Sequence, residues 1–281
     1  MVRSFYLLKR AAVFPLRFTP FRPLANTKLP LRSLLHPKKI TLLSACAPHT
    51  MCDYPKLSNT YDLACNIEQR ALAGAFVECG TWKGGNAAVM ASVASAHNSR
   101  RKTWYFDSFE GMPEPTEKDV ADTKRGKIHA RNHELAKAGF ANASVSDVEE
   151  LIFTKLGLAP EDNIIVKGWF KDTLPQQKRE IGPIAILRLD GDWYESTMTA
   201  LNELYDQVVV GGYVIVDDYG GWEGCRRAVH EFFSQQGTVP NIQLIGAYHP
   251  DLYKKIPPVY FRKGDACSDA SLYRQLENTL R

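Results

Sequence analysis

The chain has 281 residues, 44% of them apolar and 23% charged, which suits one large covered core in a globular protein. Its net charge is +4, but residues 1–52 carry nine Lys or Arg and no Asp or Glu, leaving 26 basic against 31 acidic residues after them. An acidic folded part argues against nucleic-acid binding, and the lack of any run of about 18 uncharged apolar residues argues against a membrane-spanning helix.

Residues 1–53 read as a basic arm, interleaved with aromatics and broken by prolines. Three uses fit it: packing on the domain or on a partner subunit, contact with an anionic membrane surface, or organellar import. A secretory signal is not expected, because "AAVFPL" is short and is followed by Arg, Phe and Pro rather than small residues. The six cysteines form no C-x-x-C and no zinc spacing with His, so a reducing, cytoplasmic setting is expected, with membrane association through the arm or a homo-oligomer allowed.

The domain is read over 54–281. Near-helical spacing of Leu57, Tyr61, Ala64, Cys65 and Ile67 predicts a first helix with Ser58 or Asn59 as N-cap. An apolar strand over Ala75–Cys79 then meets a glycine turn, Gly80–Gly85, and an Ala-rich helix. "KTWYFD" is a second strand ending at Asp107. Residues 108–145 read as a long loop with a helical piece around 127–138. Ser146 and Glu149 match a capping box opening the next helix. Strands follow at 163–169 and 183–190, then a helix from Trp193 that Gly211-Gly212 stops. A fifth strand, "YVIVDD", an amphipathic helix near 223–236 and two late strands complete the domain. The central strands are uniformly apolar, as in parallel sheets covered on both faces. The fold class is therefore α/β, an open sheet of Rossmann type.

In such folds ligands bind beyond the carboxyl ends of the strands, where every motif lies. Glu78-Cys-Gly80-Thr-Trp82-Lys-Gly84-Gly85 is a strand-to-helix turn, but neither G-x-G-x-x-G nor a Walker loop. An acid before the glycine would repel a pyrophosphate and suit a cation such as a methionine amino group. Asp107 stands where an acid takes ribose hydroxyls, with turn capping as its bland alternative. Trp169 follows the third strand, where adenine could stack or the ring could simply pack. These features favour S-adenosylmethionine over a nicotinamide dinucleotide.

Asp190 ends one strand and Asp217-Asp218 end the next. If those strands are neighbours, three carboxylates converge, and like charges that close call for a shared cation or proton. Mg²⁺, with its oxygen ligands and retained waters, fits. Asp192 is either a cap for the following helix or a base facing the same edge; Glu195 fits capping only. His129 and His133 lie in the long loop, ordinary surface histidines unless the loop closes and brings one in as base.

"VECGTWKGGNA", "DSFEGMPEP", "GWFKDTLP", "LRLDGDWYESTMTAL" and "GGYVIVDDYG" together resemble the macrocin O-methyltransferase (TylF-type) family over about residues 54–236. The resemblance implies a class I methyltransferase fold, S-adenosylmethionine as donor, Mg²⁺ dependence and a sugar hydroxyl as acceptor. It implies Asp190, Asp217 and Asp218 as metal ligands. Glu78, Gly80, Asp107 and Ser108 fall at cofactor positions; Trp82 and Gly85 share the glycine turn, and Trp169, after the third strand, completes the expected cofactor set. Asp192 and His133 are the candidate bases. The competing readings are a nicotinamide-dependent oxidoreductase, which lacks its glycine fingerprint, and a non-catalytic scaffold working through the basic arm.

Overall fold

The computed structural model describes residues 35–123, 126–132, 137–246, 257–265 and 274. Helix α1 spans Pro37–Cys46 and α2 Tyr54–Gln69, followed by β1 (Ala75–Cys79), α3 (Gly85–Ala96) and β2 (Thr103–Asp107). A hairpin, β3 (Val120–Thr123) and β4 (Gly126–His129), precedes the short helix α4 (Val145–Glu149), which widens into a π-turn over Glu150–Lys155. Then come β5 (Asn163–Lys167), α5 (Phe170–Ile181), β6 (Ile184–Leu189), α6 (Tyr194–Leu204), β7 (Val208–Val216), α7 (Glu223–Gln235), β8 (Gln243–Leu244) and β9 (Val259–Arg262).

Seven strands form one sheet in the order β5-β2-β1-β6-β7-β9-β8. The five strands from β5 to β7 are parallel, whereas β9 and β8 are antiparallel additions at one edge. All five residues of β1 and all six of β6 are buried, which is why these strands read as continuous apolar runs. Alternate side chains serve two cores. Val77, Leu187 and Val214 pack with residues of α5, α6 and α7. Phe76, Ile186 and Ile215 pack with α1, α2, α3 and α4 on the other face. No helix among the described residues is long and apolar enough to cross a membrane.

The sheet places its own switch point. From β1 the chain moves outward through β2 to β5, then returns to β6 on the opposite side of β1. Backbone bonds continue the ladder past the strand ends: Asp190 N–H donates to Cys79 O and Asp217 N–H to Leu189 O, each at 2.9 Å. The tips of β1, β6 and β7 are thus held side by side.

Local expectations shift in five places. Helix α2 begins earlier than expected, because Asp53, not Ser58 or Asn59, is its N-cap and accepts from Lys56 N–H. The capping box belongs to Ser144 and Asp147, not Ser146 and Glu149; the shorter aspartate still reaches the Ser144 N–H at 2.8 Å. The helical piece expected around 127–138 is in part the hairpin β3–β4. Gly211 and Gly212 lie inside β7, at an irregularity in its pairing with β6, rather than ending a helix. Helix α5 was not read from the sequence, since Pro175 lies inside it and proline ordinarily argues against helix interior.

The sequence places residues 37–53 in the arm. In the structure Ile40, Leu43 and Cys46 are buried against the α2–α3 layer. Gly85 explains the closeness: a Cβ there would lie 2.7 Å from His49 O and 2.9 Å from Cys46 O.

Gly80 has φ of +91°, and a Cβ on it would sit 1.9 Å from Asp190 O. Gly80→Ala is therefore expected to lose about 2–5 kcal/mol through backbone strain and overpacking. Urea unfolding should show a lower midpoint with an unchanged slope.

Candidate active site

Beyond the tips of β1, β2, β6 and β7 lies a cavity of about 890 Å³. Glu78, Gly80, Trp82, Asp107, Ser108, Trp169, Asp190, Asp192, Asp217 and Asp218 all line it, so residues 140 positions apart in sequence meet there. Three candidates fall outside this set. His129, at the end of β4, lies 3.6 Å from the Glu117 carboxylate and does not line the cavity. Gly85 is occupied by the 46–50 segment rather than by the cavity, and His133 lies outside the described residues.

On the glycine-turn side the acids are already engaged. Glu78 is 1% exposed. One of its oxygens accepts from Thr81 Oγ1 and the Ala87 N–H, both at 2.9 Å, and the other from Arg188 at 2.7 Å. It therefore caps the N-terminus of α3 from a neighbouring strand, where a negative charge is favoured. Burial nonetheless pushes its carboxyl up to about 7. Asp107 accepts from the Trp82 and Phe109 N–H groups, both at 2.8 Å; this turn-closing role was its bland alternative. Ser108 donates to Gly111 O at 2.9 Å. Trp82 is held by a bond from its indole N–H to Asn142 O at 3.2 Å. Trp169 sits at the N-terminus of α5 without a side-chain cap bond.

On the β6–β7 side, Arg188 organises the carboxylates. It is 1% exposed and bonds Glu78 at 2.7 Å, Asp190 at 2.6 Å and Asp217. Lys56, from the first turn of α2, pairs with the other Asp217 oxygen. Although burial alone would raise it, Lys56 and Arg188 hold the Asp217 carboxyl below the usual range. Burial and neighbouring acids raise Asp190, take Asp192 to about 7 and move Asp218 well above the ordinary value.

The expected metal trio does not close on one point. Cys52, Asp190 and Asp217 are the described group whose ligand atoms all lie within 4.8 Å of one another. Asp218 instead accepts from the Asp192 N–H at 2.9 Å, which Asp192 presents by adopting φ of +58°. The donor set still fits a hard divalent cation. Five carboxyls (Glu78, Asp190, Asp192, Asp217, Asp218) face two cations (Lys56, Arg188), and such a surplus in a buried site calls for further positive charge. The Cys52 thiol, pushed up to about 12 chiefly by burial, is held in its neutral form and adds little for such an ion.

Asp192 does not cap α6. The N-cap is Trp193, with no side-chain bond, and the Tyr194 N–H goes instead to buried Asp119 at 2.8 Å. Glu195 is not a cap either; its carboxylate lies near Lys118 at 3.5 Å. Asp192 accepts from the Trp222 indole N–H at 2.8 Å and faces the cavity. Asp119 was not singled out in the sequence. It also binds Thr116 and secures the loop before the hairpin to α6. Nor were Thr50, Cys52, Lys56, Arg188 and Trp222; a charged residue inside the apolar run of β6 was the available signal for Arg188.

A family model described as Macrocin-O-methyltransferase (TylF) matches residues 44–249. The chain belongs to the macrocin O-methyltransferase family. This macrocin-type O-methyltransferase is 39% identical over 186 residues to demethyldecarbamoylnovobiocin O-methyltransferase of Streptomyces niveus, covering 66% of this chain and 67% of that one. It is 33% identical over 195 residues to mycinamicin III 3''-O-methyltransferase of Micromonospora griseorubida, covering 69% and 74%. Among solved structures, the O-methyltransferase NovP matches with TM-score 0.63 and 34% identity over 77% of this chain and 83% of that one. The calicheamicin methyltransferase CalS11 shares the fold, with TM-score 0.61 at 18% identity over 92% and 93%. The class I methyltransferase fold and the O-methyltransferase class are thereby established, and the oxidoreductase reading is set aside.

The loop carrying Asp217 and Asp218 rests on a buried pair, Tyr219 Oη and His230 Nε2, 2.6 Å apart. Burial first, and Arg226 second, lower His230 from its usual 6.5 to about 4. Protonation therefore favours the unfolded chain. The stability tied to neutral His230 is present above pH 6.5 and is lost as pH falls towards 4, amounting to about 3 kcal/mol. Urea unfolding across that window should show this slope, and His230→Phe should flatten it while being less stable at pH 7.

Proposed function

We propose that this protein transfers a methyl group from S-adenosylmethionine to a hydroxyl of a sugar or glycosylated small molecule, with Mg²⁺ held by Asp190 and Asp217, and by Asp218 once it turns from the Asp192 N–H. The observation that carries the reading is the position of Asp192. It is a half-buried carboxyl beside the acid cluster, facing the same cavity as the glycine turn. The relatives support the acceptor class: one from Streptomyces olivaceus is named for 4'-O-methylation of a rhamnosyl tetracenomycin, 37% identical over 190 residues.

The donor would lie along the glycine turn, against Gly80 and Trp82. Asp107 and Ser108 would bind its ribose and Trp169 would stack on its adenine; Glu78 would act from below the turn. Asp107 can do this while closing the turn, because each carboxylate oxygen accepts more than one hydrogen bond. When bound, Mg²⁺ supplies a Lewis acid that lowers the pKa of the acceptor hydroxyl.

Asp192 takes the hydroxyl proton. Its value of about 7 suits a general base working near neutrality. The Trp222 indole N–H fixes its direction and favours its ionised form. The walls from Trp169, Phe170 and Trp222 hold acceptor oxygen and donor carbon in line, where positioning supplies much of the rate. Asp192 is taken as the base because it stands inside the cavity beside the acids.

Asp192→Asn is expected to lower kcat by about 10²–10⁴-fold while calorimetry shows cofactor binding little changed; activity within a few-fold of wild type would reject this base. Burial and Asp190 bring Asp192 to about 7 without metal; since bound Mg²⁺ offsets the neighbouring acids, wild-type kcat/KM should fall as pH drops through a value at or below about 7. Asp217→Asn should abolish turnover, and excess EDTA should do the same to the wild type. Full activity in EDTA would sink the Mg²⁺ reading.

A further inference from the structure

Both oxygens of Asp217 are already engaged by the protein itself. Arg188 takes Oδ1, with the Cys52 thiol 3.5 Å from the same oxygen, and Lys56 takes Oδ2. A divalent cation coordinated by Asp217 therefore meets a positive charge at either oxygen, and the repulsion favours withdrawal of one of them. The two cations are not equally displaceable. The Arg188 side chain is 1% exposed and is also bonded to Glu78 and Asp190. Removing it would leave buried acids unpaired, a strongly unfavourable outcome. The Lys56 side chain is 27% exposed, lines the cavity and ends a flexible four-carbon stem. Its backbone is fixed independently, by the bond from its N–H to Asp53, so the ammonium can swing out while α2 stays in place.

We infer that Lys56 is a displaceable internal counterion: it covers Asp217 in the metal-free enzyme, withdraws when a divalent cation binds, and thereby sets the metal affinity. The inference rests on the metal reading given above and adds the residue that competes with the ion. Two effects act in the same direction. While Lys56 is paired, the competent arrangement is only partly populated, which weakens apparent affinity in proportion. A positive charge left beside the ion repels it, so withdrawal into the open cavity is favoured. Linkage then requires the reverse effect: bound metal must loosen Lys56 to the same extent that Lys56 weakens metal.

The test is a Mn²⁺ titration of the full chain, reading free Mn²⁺ by electron paramagnetic resonance. Lys56→Met is expected to bind Mn²⁺ about tenfold more tightly than wild type, as follows if Lys56 is paired nine-tenths of the time. Lys56→Arg, which keeps the charge, should bind no more tightly than wild type. Equal or weaker binding by Lys56→Met, with circular dichroism showing it folded, overturns the inference while leaving the metal reading intact. Absence of Mn²⁺ binding in wild type and all variants, or undiminished binding by Asp217→Asn, removes the metal reading and this inference with it. A second readout is labelling of lysine amines followed by peptide mass spectrometry. Mg²⁺ should raise the reactivity of Lys56 several-fold and leave Lys178, which pairs with Glu203 away from the cavity, unchanged; equal Lys56 labelling with and without Mg²⁺, in enzyme shown to bind Mn²⁺, counts against displacement.

Discussion

A single buried guanidinium ties the site together. Arg188, inside β6, bonds one acid at the tip of each of three adjacent strands: Glu78 of β1, Asp190 beyond its own strand and Asp217 beyond β7. Burying one charge is costly, and burying several is tolerable only when each has partners of good geometry. Arg188 meets that condition for all three acids at once. Through Glu78 it also reaches the N-terminus of α3. The glycine turn that would cradle a donor and the acids that would hold a cation are therefore one electrostatic unit.

Around that unit the protein is built from two kinds of material. The sheet and its two apolar cores supply a stiff frame, with consecutive strand tips locked by backbone bonds that continue past the strands. The chemistry is carried by segments outside the regular alternation. Residues 50–56 bring Thr50, Met51, Cys52 and Lys56 to the cavity, pressed against α3 by the room that Gly85 leaves. On the opposite wall, Asp119 pins the loop before the hairpin to α6. The Trp193 indole N–H bonds Pro113 O at 2.9 Å, and Trp193 packs edge-on against Trp222 at 4.7 Å. That chain of contacts ends on the Asp192 carboxylate. The proposed base is thus oriented by residues contributed by three separate loops, which is how an active site gains fixed geometry from a scaffold.

The site's electrical balance also follows from this division. Arg188 belongs to the frame and cannot leave. Lys56 belongs to an added segment and reaches in from the side. On the proposed reading, a site with a surplus of carboxyls would have one permanent and one conditional counterion, which would let the same acids be stable without a metal and receptive to one.

Much of this was legible in the sequence. Uniformly apolar strands alternating with helices gave the parallel α/β sheet, because two-sided burial leaves that pattern in any order of strands. Acids placed directly after apolar runs had to emerge at the carboxyl edge, so Glu78, Asp107, Asp190, Asp217 and Asp218 could be assigned to one rim. Pairing was another matter. Only the fold decided that Asp107 closes a turn, that Glu78 caps a helix, that Asp218 turns to the Asp192 backbone, and that Asp119 replaces Asp192 as the cap of α6. Each of these depends on partners far away in sequence, and hydrogen bonding between distant segments leaves no periodic trace. The same holds for Lys56 and for the packing of residues 37–53, whose basic, proline-broken composition hides a folded layer. The chain's own pattern determined where the carboxylates would gather; tertiary contacts alone decided which cations they would meet there, since that choice lies in distances between side chains rather than in their order.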